Sequence, residues 1–177
     1  MRLASVLVAL AIGGLIAARP AIADPHASLP SSARDVYNAM LEYTRDANFD
    51  KLAKSLKYTT ALMHELGHDC GADFEQELRD AIAKRDAALA RTTLHKLIAT
   101  DIRRLVARAG AASGWSKRET VEVAYAVFGL VDGAVANAGE VRSAFKQLYK
   151  ASDPEASRER AHFIIERVTA AFPRCPH

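Results

Sequence analysis

The chain has 177 residues, 50% of them hydrophobic and 25% charged, a composition typical of one globular domain and not of a disordered chain. Its formal net charge is +3, and removal of the first 23 residues, which include Arg2 and Arg19, leaves 22 basic and 21 acidic residues. Because positive and negative charges are nearly equal in number, the net charge gives no reason to expect binding to nucleic acid or to an anionic membrane surface.

The first 23 residues have the pattern of a secretory signal peptide. Arg2 supplies the positive start, and residues 3–18 form an apolar run that is short for a membrane span. Ala21 and Ala23 make a small-x-small cleavage site. We therefore expect a periplasmic or secreted protein with no integral membrane segment after cleavage. Residues 24–32 are predicted to be a flexible leader, and 33–177 a helical bundle domain with an irregular C-terminal tail.

The first half of the bundle domain shows helical periodicity and no strand pattern. One helix is predicted near residues 31–47 and a second near 50–67, where Gly67 and Gly71 mark its end. Asp73 and Asp86 are placed to cap the next two helices. The predicted core stripes of the first two helices are Val36, Met40 and Tyr43, and Leu52, Leu56, Thr59, Met63 and Leu66.

The second half continues this pattern. After a turn over residues 110–114, Ser116 and Glu119 have the spacing of a capping box, and Trp115 is placed as a hydrophobic staple. A helix follows whose apolar positions extend to Val135, and residues 141–149 form a short helix. Asp153 and a first-turn proline open the last helix. The expected fold is all-α, a single antiparallel bundle of about five main helices plus short ones.

The stretch around His64 carries the H-E-x-x-H pattern, since Glu65 and His68 follow at the required positions. Residues four apart share one helical face, so both imidazoles can reach one zinc ion beside a glutamate that acts as base. His64-Glu65-Leu66-Gly67-His68-x-x-Gly71 resembles the start of the metzincin motif. The resemblance implies a zinc metallopeptidase, but Phe74 stands where the family has its third histidine. A strand edge to hold an extended substrate is also missing from the predicted fold.

A site that binds metal without proteolysis is a second interpretation of the same residues. Two histidines at this spacing chelate zinc or another divalent transition metal weakly, and further ligands must come from elsewhere. Otherwise His64 and His68 are surface histidines near a helix C-terminus, where the helix dipole favours their protonated forms.

Cys70 and Cys175 are the two cysteines of the chain, and in an oxidising compartment they are expected to form a disulfide. Such a bridge would bring His177 near His68, which suggests His64, His68 and His177 as a three-histidine metal site. Reduced thiols could instead form a Cys₂His₂ site with the same histidines. A third alternative is a tail anchored by the disulfide that binds nothing.

Two acids fall in register with apolar stripes. Asp101 aligns with the Leu94–Leu105 pattern and Asp132 with Tyr125 and its apolar neighbours. A buried carboxylate requires partners, so we expect a structural polar network of Asp101, Asp132 and Tyr125, or a metal site in the bundle interior.

The sequence thus predicts an exported, non-enzymatic accessory protein that binds a protein partner or a transition metal. The alternative is a zinc metallopeptidase with His64 and His68 as ligands and Glu65 as base.

Overall fold

The computed structural model describes residues 29–173, apart from the side chains of residues 29–32, 69 and 70. This part of the chain is all-α and contains no strand, which confirms the predicted helical bundle. Its elements are α1 (Leu29–Arg45), α2 (Phe49–Leu56), α3 (Thr60–Cys70), α4 (Phe74–Ala83), α5 (Ala87–Ala111), α6 (Gly114–Phe128), a 3₁₀ turn (Asp132–Ala134), α7 (Ala138–Lys150) and α8 (Pro154–Ala171).

Helix α5 lies at the centre of the bundle, in contact with α1, α3, α4, α6 and α8. Its predicted stripe is buried at Leu94, Leu97, Ile98 and Ile102. Apolar burial of this kind stabilises by about 1.5–3 kcal/mol for each large side chain. The central helix therefore holds the positions of the shorter helices around it.

The predicted turn at residues 110–114 is shorter in the structure, because α5 continues through Gly110 to Ala111. A Cβ atom on Gly110 would lie 2.7 Å from the Cβ of Ala161 on α8. Gly110 thus lies where α5 and α8 approach closely, and it is not a turn residue. Gly114, with a φ of +62°, does make the turn into α6.

Three predicted helix starts are confirmed, because each depends on a short-range side-chain contact. The carboxylate of Asp73 accepts a hydrogen bond from the amide of Gln76 at 2.9 Å. Asp86 caps α5 through the amide of Leu89 at 2.9 Å, and Asp153 caps α8 in the same way. Such caps each contribute about 1 kcal/mol.

The predicted helix over residues 50–67 is wrong in one respect, since the structure divides it into α2 and α3. The amides of Tyr58 and Thr59 bond three residues back, to Ser55 and Leu56, which tightens the chain. The hydroxyls of Thr59 and Thr60 also bond the carbonyl of Leu56, at 3.1 and 3.0 Å, and compete with the helical amides. The predicted core stripe is nevertheless buried at all five positions, from Leu52 to Leu66.

The boundaries of α6 also differ from the prediction. The helix begins at Gly114, so Ser116 lies inside its first turn and the proposed capping box is wrong. Trp115 is 70% exposed and does not act as a hydrophobic staple. The helix ends at Phe128 and does not extend to Val135. Val135 is buried, but it lies in the segment after the helix.

Helix α1 begins at Leu29, within the segment expected to be a leader. The predicted signal peptide, its cleavage site, Cys175 and His177 lie outside the described residues. None of the helices in residues 29–173 has the length and apolarity needed to cross a bilayer.

Candidate functional site

His64 and His68 lie on the outer face of α3, and both are exposed. Their ring centroids are 5.6 Å apart, and the ring planes meet at 67°. The i, i+4 spacing therefore places two imidazoles side by side on one face, as the sequence indicated. Two neutral imidazoles in this arrangement can bind one borderline metal ion, and they need further ligands to bind it tightly.

Two glycines shape the chain beside this pair. Gly71 adopts a φ of +65° as the C-cap of α3, and its amide bonds the carbonyl of Gly67. A Cβ on Gly67 would lie only 2.3 Å from the carbonyl oxygen of Ala72, so glycine is required where the chain turns back. The turn leaves a shallow depression of about 380 Å³ that His64, His68, Asp73 and Glu75 line.

The described side chains do not complete a metal site here. No group of three or more His, Cys, Asp or Glu side chains within the described residues is arranged to hold a metal ion. Asp73 caps α4, and Glu75 is paired with Arg79 one turn later. The further ligands predicted from the sequence, Cys70, Cys175 and His177, have side chains outside the described part.

Glu65, the base of the peptidase alternative, is exposed on α3. Its carboxylate forms an ion pair with Arg104 of α5. Arg104 also donates to Asp101 at 3.2 Å, and the two acids raise the pKa of the guanidinium although partial burial opposes this. The contact ties α3 to α5.

The acid at the centre of this contact is Asp101, which is 3% exposed. The hydroxyl of Tyr37 on α1 donates a hydrogen bond to the carboxylate of Asp101 at 3.1 Å. Burial raises the pKa of Asp101, against the opposing effect of Arg104 and the Tyr37 hydrogen bond. Burial and the nearby Asp101 also raise the pKa of Tyr37 well above its usual value. We name Tyr37, Glu65, Asp101 and Arg104 the α5 polar network.

The other residues of the predicted polar network lie elsewhere. Asp132 is in the 3₁₀ turn after α6, where it forms an ion pair with Arg142 of α7. Tyr125 packs edge-on against Phe145 with ring centroids 5.5 Å apart. The structure therefore brings neither residue to Asp101. The partner that sequence reasoning missed is Tyr37, although Tyr37, Met40 and Thr44 follow a helical spacing of their own and are all buried.

A second cleft adjoins the histidine pair on the other side of Gly71. It has a volume of about 650 Å³, and its lining includes Gly71, His95, Phe172 and Pro173. His95 packs edge-on against Phe172 at 5.9 Å, and burial together with the charge of Arg91 lowers its pKa. The cleft places the residue after Cys70 and a residue two positions before Cys175 on one concave surface.

Comparisons with protein-family models, with curated proteins and with solved structures find no match to this chain. The functional argument therefore depends on the geometry of the described residues.

Proposed function

We propose that this protein is an exported, non-enzymatic accessory protein that binds a divalent transition-metal ion at His64 and His68. The observation that carries the proposal is the pair of exposed imidazoles with ring centroids 5.6 Å apart beside a concave surface. Imidazole suits zinc, copper and nickel, and zinc is the first ion to test.

The C-terminal tail supplies the remaining ligand in this proposal. A disulfide between Cys70 and Cys175 would bring His177 to the end of α3. Gly71 and Pro173 line the same cleft, which supports the pairing because each is within two residues of one cysteine. Reduced thiols would offer the same ion a Cys₂His₂ set instead.

The zinc peptidase alternative has less support from the described geometry. Glu65 forms an ion pair with Arg104 of α5, so the residue assigned as base already has a partner within the bundle. Residues 29–173 contain no strand whose edge could hold an extended substrate.

Export is proposed from the N-terminal sequence pattern. Cleavage after Ala23 would leave α1 intact, since that helix begins at Leu29. An oxidising compartment would also suit a disulfide that closes residues 70–175 into one loop.

The experiment is a zinc titration and elemental analysis of the full chain, expressed with its own N-terminal segment, with thiols counted. We expect about one ion per chain, and a loss of affinity of at least tenfold in His64→Ala/His68→Ala. The matched control is His162→Ala, which removes an exposed histidine of α8 and should leave zinc binding unchanged.

Two further variants separate the alternatives. Glu65→Gln should retain the metal, and a peptidase activity that it abolishes would support the alternative enzyme. Equal zinc binding by wild type and by His64→Ala/His68→Ala would overturn the proposed site. Unchanged affinity after His177→Ala would remove the tail histidine from the ligand set and leave the helical pair.

A further inference from the structure

A groove between α6 and α7 combines exposed aromatic rings with positive charge. Its floor contains Val121, Tyr125, Phe145 and Tyr149, and its volume is about 220 Å³. Tyr125, in the last turn of α6, is 39% exposed. Exposed aromatic surface in a concave setting is typical of interaction sites and not of ordinary solvated helix faces.

The aromatic rings of the floor contact one another and an arginine. Phe145 is buried between Tyr125 and Phe128, at centroid distances of 5.5 and 5.4 Å. The guanidinium of Arg118 lies 5.7 Å from the ring centroid of Tyr149. A preformed aromatic floor lowers the entropy cost of binding a partner.

The charges around the groove are mostly positive. Arg142, Lys146 and Lys150 follow one another at i, i+4 and i+8 along α7, so they form a row on one face. Arg142 is paired with Asp132, whereas neither Lys146 nor Lys150 forms an ion pair with any described residue. Glu122 is the acid on the lining of the groove. The chain is nearly neutral overall, so this row is a local concentration of positive charge.

We propose that the α6–α7 groove docks an acidic segment of a partner protein, with one aromatic or leucine side chain of that segment inserted over Tyr125 and Phe145. The volume is below the roughly 300–1,000 Å³ of pockets that enclose drug-sized ligands, so it suits a single anchoring side chain. Carboxylates beside the anchor would pair with Lys146 and Lys150.

An acidic protein segment fits this surface better than an anionic membrane does. A protein that binds a bilayer surface usually inserts a wide apolar helix face into it. Here the apolar rings lie at the bottom of a groove, below the lysines. The proposal does not depend on metal binding at His64 and His68, which lie on α3.

The test uses the full chain and a fluorescent peptide of Glu residues around one Trp, beside a matched peptide with Lys in place of Glu. We expect saturable binding of the acidic peptide, with NMR shift changes centred on Tyr125, Phe145 and Tyr149. Charge reversal in Lys146→Glu/Lys150→Glu should weaken binding at least tenfold, and Tyr125→Ala by a similar factor.

Lys54→Glu/Lys84→Glu is the control, because it reverses two exposed lysines outside the groove and should leave the affinity within twofold. Circular dichroism checks that each variant remains folded. No saturable binding of the acidic peptide, equal binding of the Lys peptide, or equal loss in both double variants would overturn the proposal. Binding of phosphatidylglycerol vesicles that depends on Lys146 and Lys150, without binding of the acidic peptide, would assign the surface to membranes instead.

Discussion

Asp101 and Asp132 occupy similar places in the sequence pattern and different places in the molecule. Each aligns with an apolar helical stripe, yet Asp101 is buried in the middle of α5 while Asp132 lies in the 3₁₀ turn beyond the end of α6. Asp101 bonds Tyr37 and Arg104 inside the bundle. Asp132 bonds Arg142 at the surface.

The difference shows that the register of an acid within a stripe predicts burial only where the helix continues. Helix α5 runs for 25 residues, so packing surrounds Asp101 on several sides. Helix α6 ends at Phe128, and the chain carries Asp132 out of the helical register. The same residue type therefore acts as an internal polar link in one region and as a surface ion-pair partner in the other.

The largest expected effect comes from Asp101→Ala. The change leaves the Tyr37 hydroxyl without its acceptor and removes one partner of Arg104. We expect the free energy of unfolding to fall by about 2–3 kcal/mol. Breaking a fully buried ion pair costs ~3–5 kcal/mol, and the expected loss is smaller here because Arg104 is partly exposed. Urea denaturation measures it.

Asp132→Ala is the matched control, with an expected loss of about 0–1 kcal/mol because its ion pair is at the surface. Equal losses in the two variants would remove the contrast between the regions.

A smaller loss is expected for Tyr37→Phe, which keeps the buried ring and removes only the hydrogen bond to Asp101. A hydrogen bond to a charged group contributes about 1.5–3 kcal/mol, and Asp101 retains Arg104, so we expect about 1–2 kcal/mol. The measurement is chemical denaturation of Tyr37→Phe and of Tyr58→Phe. Tyr58→Phe is the control, because Tyr58 is 71% exposed. If both tyrosine variants were as stable as wild type, the hydrogen bond from Tyr37 to Asp101 would not stabilise the fold.

The pH dependence sharpens the contrast further. Burial raises the pKa of Asp101 above 3.8, so between 3.8 and the raised value the folded chain binds more protons there than the unfolded chain does. The contribution of this carboxyl to stability therefore falls as pH rises through that window.

The measurable quantity is the unfolding free energy of wild type minus that of Asp101→Asn, which does not titrate at this position. It should decrease with rising pH, by about 1.4 kcal/mol for each unit of raised pKa. A difference that grows with pH across the window would contradict the raised pKa, and would mean that Arg104 and Tyr37 outweigh the effect of burial.

Sequence alone determined the features that depend on near neighbours. The caps at Asp73, Asp86 and Asp153 each involve an amide three residues away, and Gly71 ends α3 through its own backbone conformation. Apolar periodicity also identified the buried stripe from Leu52 to Leu66, because burial selects the same face on both sides of a helix break. The side-by-side placement of His64 and His68 follows from helical geometry in the same way.

Tertiary structure decided whatever depends on residues distant in the chain. The contacts of Asp101 with Tyr37, and of Arg104 with Glu65, span 64 and 39 positions, and no local pattern pairs them. The sequence predicts a turn at Gly110, whereas the structure shows that Gly110 lies within α5 and against α8. The groove between α6 and α7 exists only once the chain reverses after Phe128. In each case the physical reason is the same: periodicity selects a helix face, but packing selects what that face contacts.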